Sequence, residues 1–357
     1  MEYIELRRGM DAHVHVRGGR MLGAVVPHSA RAFDYLVLMP NTRPSPIATV
    51  PKALAYADEV DAVGQAPGRE SFKAIPTLQL LKSTTVGDIE AMAASRRAGQ
   101  VVGGVKVYFQ GSTTNSDNGI VDIFDKTDVL EAMQEHRIPL LGHWEQVTEP
   151  EHQKRERAAL PLFERVVARF PRLPISFEHI SSKAAVDLVA SMPDNVVATI
   201  TAHHPILTWA DVDDGCGHFD PHCLCMPVVK TAEDRDAVLA AMLSGNPKFF
   251  FGSDSAPHPV SEKEDPARTW PTRPPNFGVY SADVALPLLC ELFEKHGGKN
   301  WRIKLENFTA VFGPRFYELL VSNHFVRIEK RSWRVPERYE LVKSFLAGRE
   351  LPWCISP

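Results

Sequence analysis

Apolar and β-branched residues recur along this chain in eight short runs, and amphipathic stretches fill most of the intervals between them. The runs span 9–16, 35–41, 73–81, 101–109, 138–144, 173–180, 195–204 and 248–256. Strand-like runs alternating with helical patterns are the mark of repeated βα units around a parallel sheet. Two of the intervening helices have readable ends. Over 182–192, Ala185, Leu188, Val189 and Met192 recur at spacings of three and four, with Ser182 placed to cap the start. Over 231–245, Thr231 stands at the N-cap, Glu233 and Asp234 fall in the first turn, and Gly245 supplies the stop. Eight strands with helices between them predict an α/β fold, a (β/α)8 TIM-type barrel. An open doubly wound sheet is the rival, and the glycine-rich phosphate turn it requires after the first strand is absent. The expected organisation is one catalytic domain over 1–357, with residues from about 300 to 357 a helical or irregular extension packed on it.

Composition narrows the partners. The 357 residues are 44% hydrophobic and 24% charged, ordinary for a folded soluble chain. A net charge of −4 gives no long-range attraction to nucleic acid or an anionic membrane, so a small-molecule substrate is expected. The five cysteines form an odd and sparse set, unlike a secreted disulfide framework. No stretch resembles a targeting leader or a membrane span, and the expected location is the cytoplasm. The basic stretch EKRSWRVPERY is interrupted by Glu329, Glu337 and Glu340, reads as a solvated surface, and is assigned no function.

Candidate chemistry begins at His13 and His15. Residues two apart on a strand share a face, so both imidazoles can converge on one metal ion. Catalytic side chains in a barrel stand at the carboxyl ends of different strands. Lys106, His143, His179 and Asp254 all fall at or near the ends of later runs, separated by whole numbers of units of about 30–38 residues, as expected of βα repeats. One buried histidine is commonly a satisfied core residue, and one lysine a surface charge. Four histidines, a lysine and an aspartate in register are harder to explain that way, and imidazole with carboxylate suits zinc. An ammonium group cannot bind a cation, but carboxylation of Lys106 by carbon dioxide would give a carbamate able to bridge two ions.

At this point the chain resembles a known group. The segments DAHVHVRGGRML, MPNTRP, VKVYFQGSTTNS, PLLGHWE, FEHISSK, HCLCMPVVK, GSDSAPH and NFTAVFGPRFYEL are similar to those of the dihydroorotases of the amidohydrolase superfamily. The likeness is to the short homodimeric type found in enterobacteria and fungi. It implies two zinc ions per subunit, one on His13, His15 and Asp254 and the other on His143 and His179, bridged by carboxylated Lys106. It further implies that Arg17, Asn41 and His258 hold a substrate carboxylate, that the main chain near Met226 contacts the ring amide, and that Thr113 and Thr114 lie on a closing loop. Arg17, two residues beyond His15, would share that residue's strand face, and guanidinium grips carboxylate well.

The reaction so implied is reversible interconversion of L-dihydroorotate and N-carbamoyl-L-aspartate in pyrimidine biosynthesis. A hydroxide between the metals would attack the ring carbonyl, with Asp254 as general acid and base. The alternatives are another cyclic amide hydrolase, such as a hydantoinase, dihydropyrimidinase or allantoinase, or a catalytically silent dihydroorotase-like partner protein. Their discriminators are the carboxylate-binding residues and the intact ligand set. Two departures stand out. Trp144 occupies a position where glycine is expected, and either narrows the pocket or fills space beneath it. The segment 269–285 lacks a cysteine-rich stretch and looks closer to the fungal members. Cys216, His218, His222, Cys223 and Cys225 match no common zinc-knuckle spacing and read as free thiols and histidines, while His203 and His204 read as structural.

Overall fold

The computed structural model describes residues 2–216 and 219–356. Eight parallel strands form wherever the apolar runs predicted them. They are β1 (Gly9–Val14), β2 (Phe33–Leu38), β3 (Lys73–Pro76, resumed at Leu78–Gln79), β4 (Val105–Tyr108), β5 (Leu140–His143), β6 (Ile175–Phe177), β7 (Val196–Ile200) and β8 (Phe249–Phe251). Neighbours in sequence are neighbours in the sheet throughout. β3 breaks at Thr77, whose hydroxyl donates to the Leu38 carbonyl at 2.6 Å, so its first half pairs with β2 and its second with β4. The ring closes between β8 and β1. A parallel bridge joins Val14 to Ser255, His15 N donates to Ser255 O at 3.0 Å, and Asp254 N donates to His13 O at 2.8 Å. The Asp11 carboxylate reinforces this seam, accepting from Ser253 N at 2.8 Å and Ser253 Oγ at 2.5 Å.

Helices α1 (Arg20–Ala30), α2 (Val50–Gly64), α3 (Val86–Arg97), α4 (Thr127–Glu135), α5 (Arg155–Arg169), α6 (Lys183–Ser191), α7 (Ala232–Leu243) and α8 (Ala285–His296) follow the strands in turn. The sequence-read caps are present. Ser182 Oγ accepts from Ala185 N at 3.2 Å, Thr231 and Asp234 form a reciprocal capping box, and Gly245 follows in a left-handed conformation with φ 77°.

The helical segment Trp301–Phe316 packs against the amino end of the barrel. A side chain at Gly9 would meet the Thr309 carbonyl oxygen at 2.2 Å, so β1 needs glycine there to admit this plug. Beyond it the tail adds strands that the apolar pattern did not predict. Tyr3–Arg7 pairs antiparallel with Phe325–Glu329, which pairs with Cys354–Ile355, and Trp333–Arg334 pairs with Glu350–Leu351. The chain's two ends are thus sewn together outside the barrel. Among the described residues, no helix is long and apolar enough to cross a membrane.

Candidate active site

The chemistry-bearing side chains gather at the carboxyl ends of the strands. His13 lies in β1 and His15 just past it, Lys106 in β4, His143 at the end of β5, His179 just past β6 and Asp254 just past β8. All six are buried. His179 and Asp254 have φ values of 44° and 45°, a left-handed backbone that non-glycine residues seldom adopt. The His179 amide is held there by Thr199 Oγ1 at 2.7 Å and the Asp254 amide by the His13 carbonyl. Turning each strand end sharply aims its side chain back over the barrel mouth, a strain typical of functional positions.

Hydrogen bonding fixes which ring nitrogens face inward. His13 Nδ1 pairs with Glu178, so Nε2 is the nitrogen that faces Asp254 Oδ1, at 3.2 Å. His15 Nε2 lies 3.2 Å from the same oxygen. His143 Nε2 donates to Glu145 at 2.7 Å, leaving its Nδ1 3.1 Å from His179 Nε2. His179 Nδ1 has no partner. Lone pairs that face one another in a dry site are unfavourable unless a proton or a cation lies between them. His13, His179 and Asp254 bring ligand atoms within 4.8 Å of one another, a spacing that a metal ion fits.

Charge on these groups follows from burial and neighbours. Burial pushes His15 down to about 3 and holds His179 well below its ordinary value, so both rings are neutral, the form that binds metal. Burial pushes Asp254 upward, but His13 and His15 beside it win and hold its carboxyl well below the usual range. Lys106 lies behind the cavity wall, fully buried, with Nζ unpartnered and 5.2 Å from the centre of the Tyr108 ring. Burial pushes its ammonium down to about 8. An amine of that basicity carries a substantial neutral fraction near pH 7.5, as nucleophilic attack on carbon dioxide requires.

Around this cluster one cavity is lined by His13, His15, His143, His179 and Asp254 together with Arg17, Asn41, Thr113, Thr114 and Met226. Arg17 reaches it by a different route from the one expected. β1 ends at Val14 and Arg17 has φ 60°, so a left-handed kink, not strand alternation, turns the guanidinium toward the cavity. Its Nε donates to the Pro257 carbonyl at 3.1 Å, and its Nη2 lies 3.1 Å from His258 Nε2. His258 stands behind Arg17, in the wall of an adjoining cavity, with Nε2 2.9 Å from the Phe277 carbonyl. The loop carrying Thr113 and Thr114 is docked over the site. Asn41 Nδ2 donates to Thr114 O at 3.0 Å, and Asn115 Nδ2 donates back to Asn41 O at 3.1 Å.

No family model matches the chain. It is 39% identical over 360 residues to a dihydroorotase of Methylobacillus flagellatus, covering 98% of each chain. The chain belongs to the dihydroorotase family. Among solved structures, dihydroorotase from Campylobacter jejuni superposes with a TM-score of 0.86 at 32% identity, over 99% of this chain and 98% of that one. Dihydroorotase from Saccharomyces cerevisiae, solved with 5-fluoroorotic acid, gives 0.85 at 31% identity, over 100% and 99%. The barrel architecture is therefore that of the dihydroorotases.

Sequence reading missed two acids that back the cluster, Glu178 behind His13 and Glu145 behind His143. Each is fully buried beside an imidazole. The available signal was an acid within two residues of a candidate ligand at the end of an apolar run, in FEHIS and GHWE. Trp144 does not narrow the pocket. Its indole fills space beneath β5, with ring centres 5.0 Å from Phe163 and 5.8 Å from Phe109. In the segment 269–285, Trp270 packs on His152 and Trp209 while Phe277 lines the cavity.

Among the described residues, the members of the cysteine and histidine cluster do not assemble as one site. Cys216 is exposed, Cys223 donates to Asp220, and His222 Nε2 lies 2.9 Å from Glu264, while His218 lies outside the described residues. Cys225 instead approaches His204, its Sγ 3.9 Å from Nε2. His204 already spends both nitrogens, on Thr201 at 2.9 Å and the Pro227 carbonyl at 3.1 Å, and burial pushes the Cys225 thiol up to about 12.

Proposed function

We propose that this chain interconverts L-dihydroorotate and N-carbamoyl-L-aspartate, the ring-closing step of pyrimidine synthesis. The observation that carries the reading is that one cavity is lined both by the buried histidine and aspartate cluster and by the Arg17 guanidinium, a group suited to grip a carboxylate. His13, His15 and Asp254 would hold one metal ion, His143 and His179 a second, and Lys106, carboxylated on Nζ, would bridge them. When bound there, the metals would polarise a carbonyl and acidify water. Zinc as the metal, a homodimeric state and a cytoplasmic location follow from the same resemblance and belong to the same proposal.

The chain's own residues then do the following. Arg17 and Asn41 take the substrate carboxylate, and the neutral His258 ring braces Arg17 from behind. That grip orients the ring amide toward the cluster, since the carboxylate and the reacting carbonyl sit at fixed positions on a six-membered ring. In ring opening, the Asp254 carboxylate accepts the proton of the attacking water and delivers it to the ring nitrogen as the C–N bond breaks. Ring closure runs the same transfer backwards. Thr113 and Thr114, on their docked loop, exclude solvent from the reacting centre. Glu178 and Glu145 hold the His13 and His143 rings in the tautomers that face inward.

The carboxylate grip separates this reading from the cyclic amide hydrolases whose substrates lack that group. The test is ring opening of L-dihydroorotate and of dihydrouracil by metal-loaded wild-type and Arg17→Ala protein. Opening of dihydroorotate alone, with KM raised about 10- to 100-fold in Arg17→Ala, is expected from loss of a charge-assisted pair. Opening of dihydrouracil alone would move the chain to the dihydropyrimidinase-like reading.

A further inference from the structure

Lys263 lies in a charge-rich surface-like sequence, SEKEDPAR, yet its side chain is buried, with 3% of its surface exposed. It ends the short helix Val260–Lys263, which follows His258. Its Nζ donates to three main-chain carbonyls, Gly278 at 2.8 Å, Asn276 at 2.9 Å and Leu224 at 3.3 Å. An ammonium group has three hydrogens, and all three are used. Among the described residues no carboxylate forms an ion pair with it. A buried cation without a counter-charge is costly, so a site that retains one draws on its directional hydrogen bonds.

The three carbonyls belong to two loops, one after β7 and one after β8. Among the described residues a single backbone hydrogen bond joins them directly, from Gly278 N to Leu224 O at 3.0 Å. Met226 on the first loop and Phe277 and Gly278 on the second line the cavity beside the metal-ligand cluster. Phe277 also presents its carbonyl to His258, which abuts Arg17. The wall formed by Met226, Phe277 and Gly278, whose Phe277 carbonyl also lies 3.5 Å from Thr114 Oγ1, is therefore assembled from two strips of chain that Lys263 ties together from behind.

We infer that Lys263 is a positioning residue that clasps the 224–226 and 276–278 segments into the wall of the substrate pocket. The inference rests on the functional reading above only for the choice of substrate. The ammonium touches neither the reacting atoms nor the proposed metal ligands. It acts through the main chain near Met226 and through Phe277 and Gly278. Such a wall meets bound substrate alike before and during reaction, so loosening it weakens binding more than it slows chemistry.

The test compares metal-loaded wild type with Lys263→Met, which keeps the stem and removes the donors. Two readings are taken, steady-state kinetics on L-dihydroorotate and backbone hydrogen exchange followed by mass spectrometry. The clasp predicts a KM raised about tenfold with kcat within about threefold. It also predicts that peptides covering 224–226 and 276–278 exchange at least about tenfold faster, while peptides from β4 to β6 are unchanged. Should Lys263→Met fail to fold, Lys263→Gln, which leaves two donors, carries the same two readings. Unchanged exchange in both segments, or an unchanged KM in the folded variant, overturns the assignment. A wild-type chain that opens no dihydroorotate refutes the functional reading instead, and the exchange comparison still decides the clasp.

Discussion

Gly142→Ala should be among the most damaging single-methyl additions in this chain. A Cβ at Gly142 would meet the Trp144 indole at 2.1 Å from Nε1, 2.3 Å from Cε2 and 2.8 Å from Cζ2. Ordinary carbon contact is about 3.5–4.0 Å, so the ring must retreat by more than an ångström. It has nowhere to go, since Phe109, Phe163 and Phe177 enclose it and it is fully buried. Overpacking costs about 1–3 kcal/mol, and outright expulsion of a tryptophan about 3–5 kcal/mol, so a loss of about 2–5 kcal/mol is expected. Because His143 stands between the two positions, ring-opening activity should fall as well. The decisive assay is a double-mutant cycle in urea. Trp144→Ala alone should cost about 3–5 kcal/mol, and adding Gly142→Ala to it should cost almost nothing more, because the clash has gone. Additive losses within about 0.5 kcal/mol, or a Gly142→Ala protein as stable as wild type, would refute the packing argument.

Other expectations follow from the same reasoning. Burial pushes the Asp283 carboxyl up to about 7, against the lowering effect of its hydrogen bonds from Ser344 and Tyr339. Between the unfolded value near 4 and about 7 the folded chain holds a proton that the unfolded chain has lost, so this group's contribution falls as pH rises through that window. Asp283→Asn should remove the slope, and the difference between variant and wild-type stability, measured in urea from pH 4 to 8, should favour the variant increasingly towards pH 7; a flat difference curve would contradict the assignment. Glu178→Gln and Glu145→Gln should each weaken metal binding about 10- to 100-fold in chelator competition, since each anchors the ring of a proposed ligand. Unaltered affinity in both would mean that the imidazoles are oriented by packing alone.

Much of the barrel was legible because its signals are local. Each strand is a run of apolar residues, and Ser182 and Thr231 cap helices by contacts three residues away. The metal-ligand candidates were legible because a barrel delivers strand ends to one face, so registration along the sequence becomes proximity in space. What stayed hidden depends on backbone turns or distant partners. Strand alternation could not foresee that Arg17 turns inward through a left-handed residue. Nothing local announces the partners of Glu145, Glu178 and Lys263, which the fold buries against His143, His13 and the carbonyls of two loops. The pairing of Tyr3–Arg7 with Phe325–Glu329 joins segments more than 300 residues apart, and no periodicity announces a partner at that range. Trp144 could be judged only with Gly142 and three phenylalanines in place.

The most direct test of the account is the rate at which the zinc- and bicarbonate-treated chain opens L-dihydroorotate, followed by loss of ultraviolet absorbance, beside Asp254→Asn. General acid and base catalysis contributes about 10²–10⁴-fold, so the account predicts turnover by wild type and a loss of that size in a metal-loaded, folded Asp254→Asn. Undiminished turnover in Asp254→Asn, or none in wild type with metal bound, would contradict it.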